Sequence, residues 1–351
     1  MKAKFAEFIE NAGWPRIIIG LFLLSLFIMT PFVGLRIDNS LTDVIVRFGM
    51  NSVLVLSMVP MVQAGTGLNF GLPLGVVAGL IGAVTSIEIG TKGFLGFLTA
   101  ILIAIPFAAI FGYGYGKLLN KVKGGEMMIA TYVGFSSVAF MSILWLILPY
   151  KSPDMIWAYG GSGLRTTISV ENYWFNVLND FLKIKIGSHF EIPTGMILFF
   201  ALMCLIVWLF FRTKTGTAIT AVGANQDFAR AAGINVDKMR TISVVFSTIL
   251  AAVGIVVYQQ SFGFIQLYLG PFYMAFPTVA AILLGGASVH KATITNVLIG
   301  TFLFQGILTM TPSVINNIIQ TDMSETIRII VSNGMILYAL TRTVKAKKVK
   351  S

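Results

Sequence analysis

The chain has 351 residues, 56% apolar and 11% charged, and its 25 Lys or Arg against 14 Asp or Glu give a net charge of +11. With a mean hydropathy of +0.85, it has too little polar surface to cover a soluble globule, which places it in lipid. One cysteine, Cys204 in an apolar run, excludes an intrachain disulfide and reads as core packing.

Residues 1–16 are charged and amphipathic and lead into an apolar span without an A-x-A cleavage pattern, so the first helix is expected to be retained. Ten candidate spans follow in order: 17–33, 48–61, 70–87, 94–115, 127–148, 193–211, 242–258, 274–289, 294–310 and 329–340. Several fall short of the ~20 residues of a perpendicular crossing. The eighth carries Pro277 and Gly285-Gly286 and the tenth is short, so either is a candidate for a kinked or partly re-entrant segment. None of these spans, as drawn, contains Asp, Glu, Lys or Arg. The apolar runs recur along nearly the whole length, which predicts a single domain over 1–351: an all-α polytopic membrane protein of about ten transmembrane helices.

From 48 to 87 there is no charged residue, yet 40 residues at ~1.5 Å each make about two crossings. The connection between them, 63–75, is therefore uncharged as well. Gln63, Gly67, Asn69, Phe70 and Gly71 suit the lining of a watery cavity at membrane depth, where irregular backbone must be satisfied by protein or water. A tight turn whose Gly and Pro only break the helix accounts for the same residues. The longest loop, 149–191, mixes charges with Trp157, Tyr159, Tyr173 and Trp174. An interfacial helix or a partner-docking surface would explain it, and an aromatic belt is the simpler reading.

The polar island 212–240 lies between two long apolar runs and carries five Lys or Arg. Asn225 is a good N-cap, Asp227 puts negative charge at a helix start, and Gly233 suits the left-handed C′ position, so 226–232 should form one short helix. Phe228 and Ala232 then share a face. A helix of this length is marginal alone, and its setting points to a receiving surface on another protein; an ordinary basic loop with one helical turn is the plainer alternative. Charge asymmetry orients the chain. With both termini on the inner side, the inner segments hold 17 Lys or Arg and 5 acids and the outer segments 8 and 9, or +12 against −1. The positive-inside rule therefore selects both ends inside and puts 212–240 in the cytoplasm, and orientation accounts for the net charge without a nucleic acid.

Catalytic constellations are absent: there is no HExxH, nucleophile elbow or CxxC, and His189 and His290 fall on opposite sides of the membrane. The run 112–117, GlyTyrGlyTyrGlyLys, has the wrong spacing for a phosphate loop and reads as close helix packing followed by a basic anchor.

The run Ala221 to Val236, AlaValGlyAlaAsnGlnAspPheAlaArgAlaAlaGlyIleAsnVal, resembles the cytoplasmic loop of the ribose-type permeases of ABC importers, with A-V-G-x-N, A-R and G-I-N-V in order. Ile282 to Ser288, IleLeuLeuGlyGlyAlaSer, is similar to the LGG-[TA]-S end of a later helix in that family, and the likeness extends loosely over all ten spans. The resemblance implies a type II importer fold used as a pair of permeases, homodimeric or with a paralogue. It also implies a separate ATP-binding subunit beneath each, a substrate-binding protein outside, and a prokaryotic plasma membrane. No cofactor would be bound by this chain, since ATP and Mg belong to the partner ATPase. Asn225, Asp227, Phe228, Ala229, Arg230, Ala232 and Gly233 would form the coupling helix. Departures blur the substrate: Asn69 stands where sugar permeases carry an acid in G-I-D-L-S-V-G, Ala275 and Pro277 stand where acids are frequent, and Val289-His290-Lys291-Ala292 replaces Gly-Gly-Arg-Gly. AsnPheGlyLeu also resembles the N-I-G-x stretch of nucleoside permeases. The expectation is uptake of a small polar nutrient, a sugar ahead of a nucleoside and branched-chain amino acids behind both. An ion-coupled transporter or channel is the alternative, disfavoured because such proteins place a charge within the bilayer.

Overall fold

The computed structural model describes residues 14–157, 161, 163–186, 190–319 and 323–348. Tyr159, His189 and the first 13 residues lie outside this set. All ten expected spans fall on helices. They are α1 (Trp14–Met29, continued by a 3-10 turn to Val33), α2 (Ile37–Leu56) with α3 (Met58–Gln63), α4 (Leu72–Ile89), α5 (Gly93–Lys121), α6 (Glu126–Ile147), α8 (Thr194–Arg212), α11 (Val236–Phe262), α12 (Gly270–Leu284), α13 (Ile294–Ile319) and α14 (Ser324–Lys348). Among the described residues eight helical runs are long and apolar enough to cross a membrane, and α12 is shorter. At 15 residues α12 spans only ~22 Å.

Two expectations about charge and length need correction. The second span starts at Ile37, because Asp38 in its first turn favours helix there. It therefore includes Asp43 and Arg47, and Glu88 lies in the last turn of α4. The tenth span is not short, since polar ends that hydropathy discounts continue its helix over 25 residues.

Successive helices alternate direction, which gives the bundle two ends. At the basic end, Gln63, Lys123, Asp237 and Ala292 come together: Gln63 Nε2 donates to Ala292 O at 2.5 Å, and Lys123 Nζ pairs with Asp237 at 2.8 Å. The loop-rich end carries α7 (Val177–Asp180) and four short strands, β1 (Thr167–Ser169), β2 (Ile184–Ile186), β3 (Phe190–Ile192) and β4 (Phe264–Gln266). There β1 pairs antiparallel with β4 and β2 with β3. In the β2–β3 hairpin, hydrogen bonds from Lys183 and then Lys185 hold the Glu191 carboxyl below its usual range. Glu88 accepts from the backbone N–H groups of Lys151 and Ser152, which fixes the start of the long loop on α4.

Among the described residues the loop is more than an aromatic belt. Trp174 is fully buried and Tyr173 donates to Asp154 Oδ2 at 2.7 Å, while Trp157 is largely exposed. Gln260 on α11 pins the loop from the inside, accepting from Asn176 N through its carbonyl and from Leu178 N through its side chain. Backbone groups that the loop must satisfy are thus met by the bundle. The core centres on α11 and α4, which are enclosed on most sides, whereas α1, α6 and α8 present long apolar faces outward, as lipid-facing helices do. In the 112–117 run, a Cβ on Gly112 would lie 2.9 Å from Val245 Cα and one on Gly116 3.0 Å from Thr241 Cα. Close approach of α5 to α11 is what those glycines permit.

Candidate functional site

The island 212–240 is helical almost throughout. Thr213 caps α9 (Lys214–Ala224), accepting from Gly216 N at 3.1 Å, where the sequence suggested only a loop. Asn225 Oδ1 accepts from both Asp227 N and Phe228 N at 3.0 Å and starts α10 (Gln226–Ala231), one residue shorter than expected. Ala232 caps it, and Gly233 turns the chain at φ +78° with Ile234 N donating back to Ala229 O. Asn235 then caps α11, accepting from Lys238 N.

This helix is braced on one side and bare on the other. Ala229 is buried in a small apolar cluster with Val222 and Val236, flanked by Ile234 and Met239. Phe228 points away and is 68% exposed, and Ala232 is exposed as well. Arg230 pairs with Asp227 at 3.4 Å across one turn. A large aromatic side chain held in water by a packed scaffold is the kind of anchor that dominates protein interfaces.

The brace reaches the break in the second and third spans. A Cβ on Gly223 would lie 2.0 Å from Gln63 O and 3.0 Å from Gly65 N, so α9 rests backbone to backbone on that break. Gly65 and Gly67 take positive φ there. Phe70 is buried and stacks obliquely near Phe276 on α12, and Gly71 abuts the ring of Tyr115. Asn69, expected to face a watery path, is 1% exposed and engaged between helices: Nδ2 donates to Ser247 Oγ at 3.0 Å, and Oδ1 accepts from Tyr115 OH at 3.3 Å. Ser247 in turn donates to Ser57 O. Within the break itself Thr66 N donates to Met61 O and Leu72 N to Asn69 O, so protein satisfies part of the irregular backbone in this state. Asn69→Leu is expected to lower stability by about 1–3 kcal/mol, because it strands the buried Tyr115 hydroxyl. Adding Tyr115→Phe should restore most of the loss. Thermal denaturation of the detergent-solubilised chain measures both, and an unchanged midpoint in the single variant contradicts the network.

Sequence reasoning missed the ion pair beneath the island 212–240. Arg240, 1% exposed, donates from Nη2 to Glu126 Oε1 at 2.6 Å, while its Nε and Nη1 have no hydrogen-bond partner among the described residues. Asn120 Nδ2 adds bonds to Asp237 O and Thr241 Oγ1. The only signal was one acid opening the fifth span and one arginine opening the seventh. Among the described residues no group of three or more His, Cys, Asp or Glu is placed to hold a metal.

These features define a polytopic helical membrane protein with a braced, aromatic-tipped helix at its basic end. The chain matches, over residues 40–340, the family described as branched-chain amino acid transport system, permease component, and it belongs to that family. It is therefore a membrane permease component, and ATP hydrolysis is the work of a separate subunit. The ribose import permease protein RbsC of Escherichia coli (strain K12) is 23% identical over 293 residues, 82% of each chain. The autoinducer 2 import system permease protein LsrC of Enterobacter sp. (strain 638) is 26% identical, over 73% of this chain and 70% of its own. The nucleoside ABC transporter permease protein NupB of Lactococcus lactis subsp. cremoris (strain MG1363) is 27% identical, over 62% and 58%. A solved metal-chelate type ABC transporter in an inward-facing conformation covers 92% of this chain and 98% of its own, at 12% identity and TM-score 0.49, too loose a likeness to carry weight.

Proposed function

We propose that this chain is the permease subunit of an ATP-driven importer for a small neutral polyhydroxylated nutrient, a sugar or a nucleoside, and that it acts as one of a pair. ATP and Mg are bound by a partner subunit seated on α10, and a substrate-binding protein docks at the loop-rich end. Asn225, Asp227, Ala229, Ala232 and Gly233 shape and orient the coupling helix, Phe228 is its anchor and Arg230 its rim. Gln63, Gly67, Asn69, Phe70 and Gly71 form the inner end of the route, as the buried break that must shift when the route opens. The observation that carries this reading is the exposed Phe228 on a helix braced through Gly223 onto that break. The names of the relatives support a sugar or nucleoside over an amino acid.

Phe228→Ala is expected to weaken association with the ATP-binding subunit by about 2 kcal/mol or more. Arg230→Ala, which loses a half-exposed side chain already paired with Asp227, should cost less and vary with salt. Co-purification of the two subunits from membranes measures both; ATP hydrolysis by the chain alone, or full assembly of Phe228→Ala, overturns the proposal. The cytoplasmic side is assigned to the basic end with both termini. In a Cys204→Ser background, Thr217→Cys should resist a membrane-impermeant maleimide on intact cells and Glu171→Cys should react, both positions being exposed. Reaction of Thr217→Cys alone would invert the orientation. An ion-driven carrier would need a charge near the middle of the bilayer, but Asp43 and Arg47 lie in the first three turns of α2, Glu88 in the last turn of α4, and Glu126 and Arg240 in the opening turns of α6 and α11.

A further inference from the structure

The β1–β4 ribbon has two unlike faces. Ile168 and Ile265 are buried toward the bundle, while Thr167, Ser169, Phe264 and Gln266 alternate with them on the other side, as the period of two requires. That second face forms the floor of two adjoining cavities. The outer one, about 240 Å³, is walled by polar groups of the long loop, among them Asn172, Tyr173 and Arg165. The inner one, about 10 Å³ and thus room for a single water, runs between Val76, Ile255 and Met274 and is reached by Gln259 and Gln266. Phe264 borders both.

Three observations describe what such a site would receive. Phe264, edge-on to Phe262, is 46% exposed among the otherwise polar residues of the outer cavity, which offers a flat apolar surface to one face of a ring. The charged groups are already engaged within the loop: Asp154 accepts from Tyr173 OH, and Arg165 donates to Ile156 O at 2.6 Å and Pro153 O at 3.1 Å. Beside them the hydroxyls and amides of Thr167, Ser169, Asn172 and Gln266 line the two cavities. Finally, Gln259 is 2% exposed and its Oε1 has no hydrogen-bond partner among the described residues, although it lines the inner cavity. A buried carbonyl of this kind needs a donor, from water or from a ligand hydroxyl.

We propose that the β1–β4 ribbon is a receiving site for a neutral polyhydroxylated ring, with Phe264 stacking on the ring and Gln259 accepting a hydroxyl in the inner cavity. It deepens the sugar or nucleoside reading and rests on it for the ligand class. Gln259 lies on α11, the helix that begins just after the coupling segment, so a ligand seated there touches the element the coupling helix leads into.

The full chain in nanodiscs, with Cys204→Ser and a reporter Ser169→Cys, tests the site by its rate of maleimide labelling. D-ribose or uridine at about 10 mM is expected to slow labelling about fivefold, as for a site four-fifths occupied. Phe264→Ala should remove the protection and Phe264→Trp keep it; since Phe264 is half exposed, neither threatens the fold. Gln259→Leu should raise the concentration needed by about tenfold, the equivalent of one hydrogen bond of ~1.4 kcal/mol. Unchanged labelling with both ligands, protection that survives Phe264→Ala, or stronger protection by L-leucine overturns the proposal. Protection without any association with an ATP-binding subunit would leave the site standing and remove the importer reading, whereas ATP-driven ribose or uridine uptake without protection would do the reverse.

Discussion

Gly223→Ala is expected to be strongly damaging, with a loss of about 3 kcal/mol or more, at the upper end of overpacking costs. The new Cβ would meet Gln63 O at 2.0 Å and Gln63 C at 2.8 Å, both backbone atoms. Neither side can retreat cheaply. Gln63 is held to Ala292, and Gly65 beyond it is in the left-handed region, while α9 continues through Asn225 into the coupling helix. Gly233→Ala is the control in the same segment, because a Cβ there meets nothing within 4 Å and only the φ of +78° is strained. That substitution should cost about 1 kcal/mol, and Gly233→Val somewhat more, with weakened coupling. Thermal denaturation of the purified chain, together with retention of the ATP-binding subunit, separates the two sites. Equal effects at Gly223 and Gly233 would mean that α9 does not rest on the break.

Glu126→Gln is expected to cost about 3–5 kcal/mol, since it leaves the enclosed Arg240 guanidinium without its counter-charge. Arg240 is 1% exposed and two of its three nitrogens have no partner among the described residues, so none of these replaces the carboxylate. Arg240→Met should be milder, because Glu126 is 17% exposed and can be hydrated. The pair Glu126→Leu with Arg240→Met is expected to recover most of the stability, as an apolar pair of similar volume often does. If the ion pair also transmits motion from the coupling segment to α6, the recovered double variant will assemble with the ATP-binding subunit yet lose substrate-stimulated hydrolysis. Additive single effects in the double variant would show that the two groups do not act together.

These two positions also mark the limit of what one-dimensional patterns carry. Ten helical spans, the short helix α10 between its Asn225 cap and the left-handed Gly233, and the exposed Phe228 follow from local signals: apolar run length, cap chemistry and a lone aromatic in a polar stretch. Such signals act within a turn or two of the chain, so the sequence by itself is enough to determine them. The lipid setting follows as directly, because composition leaves no other solvent. Tertiary structure alone decided the rest. Asn69 sits on Ser247, 178 residues away, and Glu126 on Arg240, 114 away. Gly223 faces Gln63 across 160 positions, and β1 pairs with β4 across almost 100. A polar residue in an apolar run looks the same whether it lines a passage or bonds to a neighbouring helix. Which it does depends on packing that no local pattern encodes: the charge-free break, for which a cavity wall and a tight turn are both open in the sequence, is in this state a buried joint under α9.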